Sequence, residues 1–178
     1  LYPNPSSLPA SCVDKDFDPV AEDGARYTGK TTVPSNFTHD PTNPDIPAKP
    51  RYVNVQMPFH VQYPHVPAAN NPTGVYRRTF PKPSTWSNRR VVLHLGGTET
   101  CFYVYLNGRF VGMGKDSRLP SEFDISSFIS EGMNTMAVVV LRWSDGSFLE
   151  QQDHWRMAGI HRSAYLFATP MTYIEDVF

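Results

Sequence analysis

FYVYLNGRFVGM, residues 102–113, decides the fold. Phe102 to Leu106 is an apolar and aromatic run, Asn107-Gly108 breaks it, and Arg109 to Met113 continues beyond the break. An Asn-Gly pair between two such runs predicts a tight hairpin, because both central positions want positive φ and these two residues tolerate it best. Working outward, Val75–Phe80 and Arg90–Leu95 read as further strands, the second ended by Gly96-Gly97. Met136 to Trp143 is β-branched and apolar enough for a buried strand. Ala164–Ala168 reads as another, and Tyr173 to Phe178 as the start of one more. Ser126-Ser127-Phe128-Ile129 fits one helical turn capped by Asp124 or Ser126. No segment sustains a 3.6-residue period and no internal repeat is visible. Short strands at close spacing with turn signals between them mean an all-β sandwich or jelly roll.

Ahead of that body the composition changes. Of the 17 prolines, 15 lie at or before Pro83. Residues 1–72 therefore read as an extended Pro-rich arm with few ladder-forming segments, and 73–178 as the jelly roll on which it packs, the two together making one structural domain. The arm's apolar residues, Tyr52, Val53, Met57, Phe59, Val61 and Tyr63 among them, need a surface to lie on, either this body or a neighbouring domain.

With 178 residues and hydrophobic residues at 40%, the chain is long and apolar enough for a core of its own. A formal net charge of −1 gives no basic face for nucleic acid and no polybasic stretch for a membrane surface. No apolar run is long enough to cross a bilayer, and no signal peptide is visible, so a cytoplasmic setting is expected. The chain opens at Leu1 rather than Met, as a trimmed sequence would. Cys12 and Cys101 do not make a disulfide framework, and Cys101 reads as a small core residue. Asn36-Phe37-Thr38 matches a glycosylation acceptor only formally.

No phosphate-cradling glycine loop, nucleophile elbow or Cys-x-x-Cys pair is present. The six histidines never fall at metal-ligand spacing. Carboxylates crowd two segments, KDSRLPSEFD with Asp116, Glu122 and Asp124, and WSDGSFLEQQD with Asp145, Glu150 and Asp153. Two flanking carboxyl groups are what glycoside hydrolysis needs. Beside short apolar runs, though, Ser-x-x-Glu and Asp-x-Ser patterns belong to turn capping, and that is the expected role of Glu122, Asp124, Asp145 and Glu150. Of the tryptophans, Trp86, Trp143 and Trp155 offer flat faces that suit a sugar ring. Trp143, inside an apolar strand, reads as core, whereas Trp155 sits in a polar loop.

The same segments closely resemble glycoside hydrolase family 2, in particular its large microbial β-galactosidases. The resemblance rests on VPSNF at Val33–Phe37, NPTGVYRRTF at Asn71–Phe80, LNGRFVGMGKDSRLPSEFDIS at Leu106–Ser126 and VVVLRWSDGSFLEQQDHWRMAGIHR at Val138–Arg162. It implies a jelly-roll sugar-binding domain, followed in the parent by an immunoglobulin-like domain and a (β/α) barrel with two catalytic glutamates. The parent would hydrolyse terminal β-D-galactosides with retention. No catalytic residue then lies on this chain, which alone is expected to be inactive. The resemblance further implies that Asn71 hydrogen-bonds the galactosyl unit and that Asp116 meets both the sugar and a sodium ion shared with the barrel. A magnesium ion would belong to the parent but not to this chain, and the parent would be a homo-oligomer. Arg118, Glu122, Asp124, Asp145, Arg156 and Arg162 become holders of loops. The family's opening strand, Ser-Leu-Asn-Gly-x-Trp-x-Phe, is missing ahead of Leu1, and residues 1–32 match poorly. Two other readings stand beside this one: an autonomous carbohydrate-binding module, and a structural or interface domain.

Overall fold

A computed structural model describes residues 1–17, 29–39, 49–54, 56–151 and 153–178. Nine strands carry it: β1 (Ser35–Asn36), β2 (Thr73–Pro81), β3 (Arg89–Leu95), β4 (Cys101–Leu106), β5 (Arg109–Gly114), β6 (Ser121–Asp124), β7 (Met133–Leu141), β8 (Gly159–Ile160) and β9 (Ala164–Pro170). They form an antiparallel sheet ordered β2-β7-β4-β5, a second ordered β6-β3-β9, and a small pairing of β1 with β8. Among the described residues helix is confined to one turn, α1 (Ser147–Glu150), and three short 3₁₀ turns. This is the all-β jelly-roll sandwich expected from the sequence.

The alternation of side chains assembles the core. Val91, Leu93 and Leu95 of β3 meet Phe102, Val104 and Leu106 of β4 and Met136, Val138 and Val140 of β7, with Ile125 and Ile160 closing the cluster. Every second residue faces inward on each strand, as the two-residue period of a pleated strand requires. On β7 the outward set, Ala137 and Val139, is buried too. The 3₁₀ turn Ala10–Val13 of the arm packs against β7, which fits the uninterrupted apolar run Met136–Leu141 of that strand. At the β4–β5 hairpin Asn107 and Gly108 take φ of 53° and 78°, the positive values that the Asn-Gly pair predicts.

The arm is tied to the body by main-chain pairing and by arginines. Tyr2 exchanges two backbone hydrogen bonds with Thr73, β1 pairs with β8, and Arg51 bridges Arg156. Arg142 donates to the Lys49 carbonyl at 2.6 Å and Arg156 to the Val53 carbonyl at 2.8 Å, so two guanidinium groups from the loop after β7 hold the arm.

Three local expectations change. Tyr173–Phe178 is not a strand: the last ladder ends at Pro170, and beyond it the described residues are exposed and pair with no strand, Tyr173 lying under the Arg90 guanidinium. β7 begins at Met133 and stops at Leu141, because Arg142 and Trp143 turn away to meet the arm. Ser121–Asp124, read as a capping segment, is also strand β6, paired with Leu95–Val92 of β3. Asp124 does cap the turn after it, its Oδ1 accepting from the Ser126 amide and hydroxyl. Both cysteines are buried and free.

Candidate functional site

The loop between β7 and β8, residues 142–158, gathers most of the polar residues singled out in the sequence. Asn71 reaches it from the arm. Its amide oxygen accepts from the Trp143 amide at 2.8 Å, and its amide nitrogen donates to the Trp143 carbonyl at 3.0 Å, with the side chain 2% exposed. Both ends of the amide are thus engaged with one backbone residue. Asn71 clamps the loop with one amide N–H and one oxygen lone pair, and a second N–H and a second lone pair remain beyond these two bonds.

The loop after β5 closes on the same segment. Lys115 pairs with Asp145 at 2.6 Å, and the Ser117 hydroxyl lies between the Thr100 amide and the Glu150 carboxylate. Lys115 holds Asp145 below the usual carboxylate range. Asp116 is exposed between these two anchors, its Oδ1 accepting from the amides of Arg118 and Leu119 at 3.1 and 3.2 Å. Arg118 forks onto Glu99, which is 2% exposed, at 2.5 and 3.0 Å. Arg118 also lies 3.3 Å from His154 Nε2, which makes His154 Nδ1 the donor to the Trp155 carbonyl at 2.6 Å. A buried carboxylate, a guanidinium and an imidazole therefore run in series to residue 155. Sequence reading missed Glu99, because nothing around a single Glu in GGTET announces a buried ion pair.

At the end of that series stands an exposed corner. Trp155 is 55% exposed and packs against Tyr52 of the arm, ring centroids 5.6 Å apart. The Tyr52 hydroxyl donates to Asp153 Oδ1 at 2.6 Å, and Asp153 has φ of 53°. Two aromatic faces beside a carboxylate, on a rim held by buried pairs, are what a carbohydrate contact uses: C–H faces stack on rings and hydroxyls bond to the carboxylate. The other tryptophans are packing residues. Trp143 is 4% exposed in edge contact with Phe59, and Trp86 packs on the core.

The remaining flagged carboxylates have internal partners: Glu122 with His94 at 2.7 Å and Asp124 with Arg90 at 2.9 Å. Arg162 donates to the Arg118 carbonyl at 2.7 Å. Arg162 thus ties two loops as expected, whereas the Glu122 and Asp124 pairs run across the β6–β3 ladder. In Asn36-Phe37-Thr38, Asn36 ends β1, the next two residues turn, and the Thr38 hydroxyl accepts from the Ala158 amide, so the triplet is part of the packed body.

Sodium prefers several oxygen ligands. Asp116 and Asp153 supply the right donor type, yet each is a single carboxylate with one oxygen already engaged, and among the described residues no group of three His, Cys, Asp or Glu side chains gathers. The donor type fits and the donor number does not. The magnesium expectation names no residue of this chain.

The fold is an all-β sandwich, and sequence relatives identify which kind. Residues 18–170 match the model of the glycosyl hydrolases family 2 sugar-binding domain, so the chain belongs to glycoside hydrolase family 2. It is 41% identical over 177 residues to a β-galactosidase of Psychromonas ingrahamii, covering 99% of this chain and 16% of that protein. A β-galactosidase of Priestia megaterium is 48% identical over 131 residues, covering 71% of this chain and 13% of that protein. Among solved structures, a Bacteroides uniformis β-glucuronidase superposes with a TM-score of 0.63 over 92% of this chain and 16% of its own, at 22% identity, which speaks for the fold alone. The chain thus spans about one sixth of the length of the relatives it matches. No helix among the described residues is long and apolar enough to cross a membrane.

Proposed function

We propose that this chain forms one wall of the substrate pocket of a β-galactosidase that acts with retention, its catalytic glutamates lying on a barrel outside the chain. The observation that carries this reading is the corner of Tyr52, Asp153 and Trp155, held out at the rim by the Glu99–Arg118–His154 series. Asp116, on the adjoining loop, completes the same rim. The galactoside assignment is supported by the similarity to two β-galactosidases at 41% and 48% identity, since the fold is shared with β-glucuronidases. Sodium, in this reading, binds where Asp116 or Asp153 meets oxygen ligands from the barrel, and the domain's own part is to place a carboxylate there and orient the sugar. Magnesium belongs elsewhere in the parent, which assembles as a homo-oligomer with immunoglobulin-like and barrel domains following this one. Tyr63 at 71% and Leu149 at 86% exposure favour an additional role as an interface for those domains.

The test is made in the full-length enzyme. Trp155→Ala should raise KM for a nitrophenyl β-galactoside about tenfold, the loss of one stacking face. Asp153→Asn or Asp116→Asn should weaken the sodium dependence of the rate. Unchanged KM and unchanged sodium response in all three variants would remove this rim from the pocket.

A further inference from the structure

Between the arm and the end of β7 lies a cleft of about 880 Å³, whose described lining includes none of Tyr52, Asp153 and Trp155. Lys49, Arg51, Arg142, His60 and His65 line it, and its described lining contains no Asp or Glu. Arg142 is 4% exposed. One terminal nitrogen donates to the carbonyls of Lys49 and Arg156 at 2.6 and 2.9 Å, while its Nε is buried without a hydrogen-bond partner. The guanidinium stacks over the Trp143 ring at 4.8 Å. Arg156, behind it, is 1% exposed and also carries a buried Nε with no partner. Among the described residues none of Arg51, Arg142 and Arg156 forms an ion pair with a carboxylate.

A buried charge is normally paired, because desolvation of an isolated ion is expensive. Among the described residues, the guanidinium groups of Arg142 and Arg156 are hydrogen-bonded only to neutral acceptors, and with Arg51 beside them they are short of negative charge. Burial and the nearby Arg51 push Arg142 down to about 10, which is the same shortage expressed as a proton affinity. A guanidinium fork matches a carboxylate in shape, and the cleft has room for one beside Arg142.

We infer that this cleft is a binding site for a carboxylate, seated against Arg142 with Arg51 at its mouth. A small organic acid and an acidic side chain of a neighbouring protein segment present the same group, so two probes separate the sources.

The experiment uses this chain. Citrate, and separately an acetylated Glu-Asp-Glu peptide, are titrated in against sodium chloride of matched ionic strength. Melting temperature and the Arg142 Nε–H resonance of ¹⁵N-labelled protein are followed. Citrate at about ten millimolar is expected to raise the melting temperature by about 3 °C beyond the salt control and to shift the Arg142 resonance. Arg51→Gln alters an exposed side chain outside the core, keeps the fold, and should weaken binding about fivefold. A response to citrate alone assigns the site to a free acid, and a response to the peptide alone or to both assigns it to a carboxylate carried on protein. If neither probe exceeds the salt control, or if Arg51→Gln responds as the native chain does, the inference falls.

Discussion

At Asn71 one side chain replaces a stretch of sheet. Its amide satisfies both the N–H and the C=O of Trp143 in a place where water cannot reach. Asn71→Ala should therefore cost about 2–3 kcal/mol, measured as a lowered denaturant midpoint at unchanged slope, because two buried backbone groups lose their partner together. Glu99 is a comparable case with charge. Glu99→Gln leaves the Arg118 guanidinium unpaired and should cost about 2–3 kcal/mol, at the low end for such pairs because Arg118 is about one-third open to solvent. The same substitution should disturb the Nδ1–H tautomer of His154, visible in its imidazole ¹⁵N shifts. His161 supplies a pH dependence. Burial lowers its affinity for protons below the ordinary 6.5, with Glu99 opposing and Arg118, Arg162 and His154 assisting. Above 6.5 neither the folded nor the unfolded chain carries that proton, so stability is complete there. As pH falls below 6.5 the unfolded chain takes up the proton first and stability declines. His161→Asn should flatten that part of a stability-versus-pH curve, measured by urea melts between pH 5 and 8.

Among the elements, those with strong local chemistry were legible. The Asn107-Gly108 turn set the β4–β5 hairpin, and alternation placed β2, β3 and β9 within a residue or two of their observed ends. What sequence could not show are contacts between distant segments. β6 is only four residues long and carries Glu122 and Asp124, whose partners His94 and Arg90 lie on β3, so nothing local marks it as a strand. Tyr173–Phe178 carries strand-like residues but has no strand beside it, and composition alone cannot reveal a missing neighbour. The same reason hid the packing part of Asn71: its burial under the Trp143 backbone follows from the arm's path, which residue type does not reveal. Gly159 shows how tightly one crossing is built. It has φ of +143°, and a Cβ there would meet the Asn36 Cα and the Ser35 carbonyl oxygen at 2.7 Å. Gly159→Ala should break the β1–β8 pairing, which amide hydrogen exchange at residues 35–36 and 159–160 would report as lost protection.

For the whole molecule, the arm and the 142–158 loop hold each other. Two guanidinium groups, the Asn71 clamp and the Tyr52–Asp153 hydrogen bond join them, while the rim they build faces outward. These contacts hold the described part of the proline-rich arm against the sandwich. In the function proposed above the rim is one wall of a pocket, because a sugar resting on Trp155 and Asp153 would be touched from one side. The measurement that tests this most directly is isothermal titration of the chain with galactose and lactose, in sodium and in potassium buffers. A wall of a larger pocket predicts no detectable heat up to tens of millimolar sugar in either buffer. Saturable, sodium-dependent binding that Asp153→Ala or Asp116→Ala abolishes would show instead a self-sufficient sugar-binding module.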